Sequence, residues 1–297
     1  MTLPNFLIIG APKAGTTSLH YILSQHPAVF MCPVKEAGFF WAYDRPVRLA
    51  GPGSQKLHNR LVRDLNEYEA LFNGVQGQRA IGESSVRYIS TPNTPANIRR
   101  FVPEMKLILS LRQPAERAFS SFSHNLRDGL EPCKSFAEAI RQERSGERDD
   151  WEFCRYLDKG FYFRHITRYL ELFDRRQMNI SLLEDLKTDG PGLMRDIFRF
   201  LAVDERFVPD MEHRHNASGI IRNPLLRILW TRSNRLRGEL RPLLPPRLRH
   251  TAFEWVIQDL EKLHMPGEIR SELTEYYRQD ILQLQDLLDR DLSHWLV

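Results

Sequence analysis

Apolar and polar positions divide the chain into short apolar runs separated by stretches of helical period. The first run, Phe6–Ile9, ends at Gly10 and a helical pattern resumes at Thr17, so residues 5–20 predict a strand, a tight loop and a helix. His26-Pro27 stops that helix, because the residue before a proline is pushed out of the α region, and Ala28–Met31 predicts a second strand. Arg79–Gly82 predicts a third strand. Residues 105–111, MKLILSL, are apolar almost throughout and predict a strand buried on both faces of a parallel sheet. MNISLLE, from Met178, gives one more. Helical patterns fall between these runs: residues 64–72, residues 96–101, a segment opened by Pro114, FYFRHITRYLELF after Gly160, and GPGLMRDIFRFL from Gly190. Strands alternating with helices imply an α/β fold, a central parallel β-sheet flanked by helices in three layers.

Two segments break the alternation. Residues 45–60 are rich in Gly, Pro and Arg, lack a period and predict an exposed loop. Residues 128–150 are strongly charged and predict a solvated helix and loop. The last third differs in kind. Residues 213–222, HRHNASGIIR, form a polar basic loop, the strand signal then disappears, and helical stretches run to about Asp289. The organisation expected is one domain over residues 1–297, with an α/β core to about residue 212 and then a loop and helical C-terminal extension.

Composition adds little to this picture: 42% hydrophobic and 27% charged residues are ordinary for a globular protein. The net charge of +4, from 42 basic and 38 acidic residues, suits an anionic ligand without pointing to nucleic acid. Cys32, Cys133 and Cys154 are isolated, so neither a disulfide framework nor a zinc site is expected and a reduced compartment follows. No stretch has the length and apolarity of a leader or a membrane span, which predicts a cytoplasmic protein with no stable membrane insertion.

Three stretches carry chemistry. In NFLIIGAPKAGTTSLH, Gly10 and Gly15 let the loop bend, and Thr16, Thr17 and Ser18 place hydroxyls and N–H groups at a helix mouth, where anions bind. The loop is P-loop-like but departs from GxxxxGK[ST]. Thr16 stands where the lysine would be, and Lys13 lies inside the loop. In LRQPAERAFSS, Arg112 ends the most apolar strand and Ser120 follows two helical turns on, a planar fork and a hydroxyl suited to phosphate. Taken alone, Arg112 would serve equally as a surface ion pair. Together, a cradle and a fork imply a ligand with two separated anionic groups. In PVKEAGFFWAYD, Lys35 and Glu36 precede Phe39, Phe40, Trp41 and Tyr43, rings that either wall a pocket or plug the core.

These stretches resemble the sulfotransferases that use 3′-phosphoadenosine-5′-phosphosulfate (PAPS), whose desulfated product is PAP. FLIIGAPKAGTTSL looks like their 5′-phosphosulfate loop and LRQPAERAFSSF like their 3′-phosphate segment. KEAGFF looks like the KExxFF segment of the Golgi-type and bacterial, heparan-sulfotransferase-like branch. GFYFRHITRYLELF, SLLEDLKTD and DLLDRDLSHW look like its later elements, so the resemblance touches most of the chain. It implies that the loop from Lys13 through Ala14, Gly15, Thr16 and Thr17 to Ser18 holds the 5′-phosphate, with Lys13 at the leaving group. Arg112 and Ser120 would hold the 3′-phosphate, and Arg222 in the basic loop would add a further contact. A sulfuryl group in flight carries less charge than a phosphoryl group, so no metal is implied. Glu36 matches the base of the Golgi-type relatives, its proton affinity expected to rise if those rings bury it, with His124 as second candidate and His20 placed on the outer face of the first helix.

The chain also departs from the heparan-type pattern. Gly38, Trp41 and Ser84 replace a histidine, an aspartate and a lysine, which argues against a heparan-like sugar acceptor by analogy, and Leu183 stands where cytosolic relatives place a tyrosine against adenine. The acceptor implied is a hydroxyl or amine of a carbohydrate, lipid or small metabolite. Two alternatives are a P-loop-type nucleotide kinase, disfavoured by the missing lysine and the absence of a Walker-B carboxylate at Arg112, and a catalytically silent nucleotide-binding protein.

Overall fold

The computed structural model describes residues 2–43, 50–211, 220–221, 223, 260–261 and 263–297. Five strands, β1 (Phe6–Gly10), β2 (Val29–Met31), β3 (Ala80–Ser84), β4 (Lys106–Leu111) and β5 (Met178–Leu182), form one sheet in the order β2-β3-β1-β4-β5. Every pairing in it is parallel. β1 lies at the centre, and its residues are wholly buried because layers cover both faces. Alternate side chains of β1 and β4 go to opposite sides. Leu7, Ile9, Leu107 and Leu109 join the larger core cluster. Phe6, Ile8 and Ile108 instead meet the helices α1 (Thr16–Ser24) and α10 (Gly190–Leu201) through Leu19, Ile22, Ile197 and Phe198.

The remaining helices among the described residues are α2 (Phe39–Ala42), α3 (Ser54–His58), α4 (Leu65–Ala70), α5 (Thr94–Phe101), α6 (Pro114–Arg127), α7 (Phe136–Arg144), α8 (Tyr162–Leu170), α9 (Leu183–Thr188) and α11 (Gly267–Leu288). Pro114 opens α6, where its missing N–H costs nothing, and the Gln113 side chain accepts the Glu116 N–H at 2.7 Å. The start of α8 has no cap of its own. Asp280 on α11 accepts the N–H groups of Phe163 at 3.0 Å and Arg164 at 3.2 Å there, so the last helix supplies the negative charge that a helix N-terminus favours. Arg270 of α11 also pairs with Glu116 of α6 at 2.9 Å, and Gln113 donates to the carbonyl of Trp295 at 3.2 Å.

Several expectations change. Phe39, Phe40 and Trp41 turn into the core, where Phe39 stacks on Tyr68 at 4.2 Å, so they are not a pocket wall. Within 45–60, residues 50–60 are described and include a turn of helix, α3, anchored by buried Leu57. The charged stretch 128–150 is not solvated throughout. The side chains of Glu131 and Arg148 are both 0% exposed and joined by two contacts of 2.8 Å, with the Tyr156 hydroxyl donating to Glu131 at 2.5 Å. A strand pair also exists in the last third: β6 (Ile220–Ile221) runs antiparallel to β7 (Leu260–Glu261). Two-residue strands leave no periodicity to read. Arg222 and residues 213–219 of the basic loop lie outside the described residues.

Candidate active site

The site forms where the central strand and its neighbour end, the position at which open parallel sheets bind ligands. The Ala11 N–H bonds to the Ser110 carbonyl at 2.8 Å, and the Ser110 hydroxyl donates to the Ala14 carbonyl at 2.6 Å, tying the loop after β1 to β4. Gly15 has φ +81°, a backbone conformation that strains any residue with a side chain, and a Cβ there would also push Leu183 Cδ1, 2.8 Å away, aside. No side chain caps α1. The N–H groups of its first turn are therefore left for a ligand. Ala14, expected to hold the anion, does not line the cleft: its methyl is buried in the core, its N–H closes a turn on Ala11 and its carbonyl accepts the Ser110 hydroxyl.

A cleft of about 1640 Å³ opens from this loop. Lys13, Gly15, Thr16, Thr17 and Ser18 line it, as do Arg112, Ser120, His124 and Glu36. Lys13 stands at φ +67°, a left-handed conformation uncommon for a side-chain-bearing residue. Burial, followed by the charge of Arg127, pulls its ammonium down to about 8, while Asp128 opposes the fall. Arg112 meets Glu116 at 3.3 Å, and its backbone carbonyl accepts the Tyr162 hydroxyl at 2.8 Å. The Ser120 hydroxyl is buried with no hydrogen-bond partner in the protein. Such an orphan at a cleft wall is a place for a ligand's acceptor oxygen.

Glu36 also has a left-handed backbone, φ +59°. Its N–H donates to the Ser84 carbonyl at 2.9 Å, its Oε1 accepts the Val86 N–H at 3.3 Å, and its Oε2 lies 2.8 Å from Arg87 Nη1. Arg87 is shared, with Nε 3.3 Å from Glu152, and Lys159 approaches the same Glu152 oxygen at 2.8 Å. The carboxylate thus faces a guanidinium rather than the aromatic cluster that follows it in sequence. Lys35 points the other way and donates to the Thr17 hydroxyl at 2.9 Å, linking the two loops. Burial lowers its pKa and Glu36 raises it.

His124 stands near Lys13. Arg127 donates to its Nδ1 at 2.7 Å and Asp128 lies 3.6 Å from Nε2. Burial and then Lys13 bring it to about 4, so the ring is neutral near pH 7. His20 is half-buried rather than outward, and burial followed by Lys35 brings it to about 4. Arg87, Glu152 and Lys159 were not singled out from sequence. They come from separate segments and no spacing joins them to Glu36.

A family model for the sulfotransferase domain matches residues 3–218, and the chain belongs to that family. The membrane-associated sulfotransferase kil1 of Dictyostelium discoideum is 30% identical over 201 residues, 66% of this chain and 36% of that protein. The bifunctional heparan sulfate N-deacetylase/N-sulfotransferase 2 of Homo sapiens is 28% identical over 211 residues, 68% of this chain and 22% of that one. The chain therefore spans little more than a third, or less, of the length of these relatives. A sulfotransferase from Alicyclobacillus acidocaldarius has the same fold, with 33% identity, a TM-score of 0.79 and 99% of each chain covered. The matched family and this solved neighbour are sulfotransferases, enzymes that move a sulfuryl group to an acceptor. The residues present fit PAPS: an uncapped helix start beside Lys13 for one phosphate, and Arg112 with the orphan Ser120 hydroxyl for the other. Among the described residues no group of three His, Cys, Asp or Glu side chains gathers as a metal site, and no helix is long and apolar enough to cross a membrane.

Proposed function

We propose that Glu36 is the base that accepts the acceptor's proton and that Lys13 supports the leaving phosphate. The observation that carries this is the gathering of Glu36, Lys13, Arg112 and the unpartnered Ser120 hydroxyl around one cleft. PAPS, when bound, supplies a sulfuryl group already activated on a phosphate leaving group. The first turn of α1, with Thr16, Thr17 and Ser18, holds the 5′ end, and Arg112 and Ser120 hold the 3′-phosphate. The Lys13 ammonium neutralises charge as it develops on the departing oxygen. Glu36, held by Val86 and Arg87, takes the proton of a hydroxyl or amine. The reading treats residues 1–297 as one sulfotransferase domain. It places the protein in the cytoplasm, supported by three buried cysteines that form no disulfide.

Gly38, Trp41 and Ser84 depart from the heparan-type pattern that the sequence otherwise resembles. Trp41 is now accounted for by burial in the core rather than by contact with an acceptor. An acceptor other than a heparan-type sugar is proposed on that ground. Calorimetry with PAP, ATP and GTP tests the donor assignment, and tight ATP binding with no response to PAP overturns it. Lys13→Ala is expected to weaken PAPS use by about 2 kcal/mol, the scale of a hydrogen bond to a charged group. Because Lys13 titrates near 8 in the free protein, PAP affinity is expected to fall as the pH rises through that value in the wild type and to lose this dependence in Lys13→Ala.

A further inference from the structure

The segment 36–38 turns through two left-handed residues, Glu36 at φ +59° and Gly38 at φ +67°. A Cβ on Gly38 would meet Leu61 Cδ2 at 2.4 Å, so the turn is closed from the protein side. What holds it is the end of β3 and the residues that follow. The Glu36 N–H bonds to the Ser84 carbonyl at 2.9 Å, the Gly38 N–H bonds to the Ser85 hydroxyl at 3.1 Å, and the Glu36 side chain accepts the Val86 N–H at 3.3 Å. Consecutive residues 84, 85 and 86 therefore each fix one point of the turn that presents Glu36. Ser85 has a single proton, and it goes to Glu83 Oε1 at 2.5 Å, which leaves the hydroxyl's lone pairs for Gly38.

Glu83 is 0% exposed and lies outside the cleft lining. We propose that Glu83 is a positioning residue for Glu36, acting through the Ser85 hydroxyl on the turn at residues 36–38. The inference rests on the assignment of Glu36 as the base. A buried glutamate without a cation is an expensive way to orient a serine, and this one has none. The titratable groups facing it are Tyr68 from α4, Tyr88 after β3, Cys32 after β2 and Glu36 itself. Oε2 accepts no hydrogen bond. Burial drives Glu83 up to about 8, against the Ser85 hydroxyl and the weaker opposing effect of the Tyr88 and Tyr68 hydroxyls and with Glu36 adding to the rise, so near pH 7 the neutral acid predominates. In that state it orients Ser85 without placing a second negative charge beneath Glu36. When it ionises, that charge arrives.

The test uses the whole protein, with release of PAP from PAPS to water as the probe and calorimetric PAP binding alongside. Ser85→Ala and Glu83→Ala are expected to lower kcat about tenfold, the scale of a catalytic group displaced by a fraction of an ångström, with PAP affinity unchanged. Glu83→Gln keeps the neutral polar group. It is expected to retain wild-type kcat at neutral pH and to lose the fall in kcat that the wild type shows as pH rises through about 8. An infrared titration should show a protonated carboxyl band that disappears over the same range and is absent from Glu83→Gln. If Ser85→Ala works at the full rate, or Glu83→Gln is as slow as Glu83→Ala, the inference is overturned. With kcat read at saturating PAPS, where the bound anion keeps Lys13 charged through this range, an alkaline fall that persists in Glu83→Gln also overturns the inference. Should Glu83→Ala fail to fold, Ser85→Ala and Glu83→Gln still decide. Glu36→Gln run in parallel separates the two claims: a slow Glu36→Gln beside a fast Ser85→Ala removes only the positioning role, and a fast Glu36→Gln removes both.

Discussion

Two arginine–glutamate pairs are built in opposite ways. The side chains of Arg148 and Glu131 are entirely buried, two contacts of 2.8 Å join them, and Tyr156 and the Cys133 N–H satisfy the remaining carboxylate sites. Arg87 and Glu36 are 15% and 21% exposed, joined at one oxygen, and Arg87 is divided between two carboxylates. The first pair is closed and has nothing left to offer a ligand. The second is incomplete by construction and opens onto the cleft. Chemistry needs the incomplete kind, because a carboxylate whose sites are all filled has nowhere to put a proton.

Substitution sharpens this contrast. The largest effect is expected from Glu36→Gln, which should lower turnover by about 10² to 10⁴, the usual contribution of a general base, while PAP affinity and melting temperature stay as they are. Glu131→Gln should do the converse. It leaves Arg148 buried against a neutral partner and should cost about 3 kcal/mol of stability in denaturant titration, with turnover per folded molecule unchanged. The smallest effect is expected from Arg87→Met, which should reduce kcat about fivefold with stability changed by less than about 1 kcal/mol, because the pair is partly exposed and Val86 still holds Glu36. Should Arg87→Met destabilise the fold as strongly as Glu131→Gln, the contrast between the pairs fails.

How much of this was legible in the sequence follows from how local each feature is. The loop after β1 and the segment carrying Arg112 and Ser120 are each one short stretch of sequence, and buried parallel strands announce themselves as unbroken apolar runs. Residues from both stretches line the cleft, so this part of its wall could be named from sequence. The direction of Phe39, Phe40 and Trp41 was not, because it depends on left-handed turns at Glu36 and Gly38 that no periodicity encodes. Arg148 looked solvated because its neighbours in sequence are charged, whereas its partner Glu131 approaches from before α7. The Arg87, Glu152 and Lys159 network is assembled only through space, and Glu83 looked like one more polar residue ending a strand.

Glu116 is held between two arginines, Arg112 beside the cleft and Arg270 on the last helix. An anion that takes up the guanidinium of Arg112 frees Glu116 to bind Arg270 more fully, and a firmly docked α11 in turn weakens the claim of Glu116 on Arg112. By reciprocity the two events share one coupling free energy. Filling the cleft at Arg112 and clasping the C-terminal helix would then be coupled through Glu116, each favouring the other.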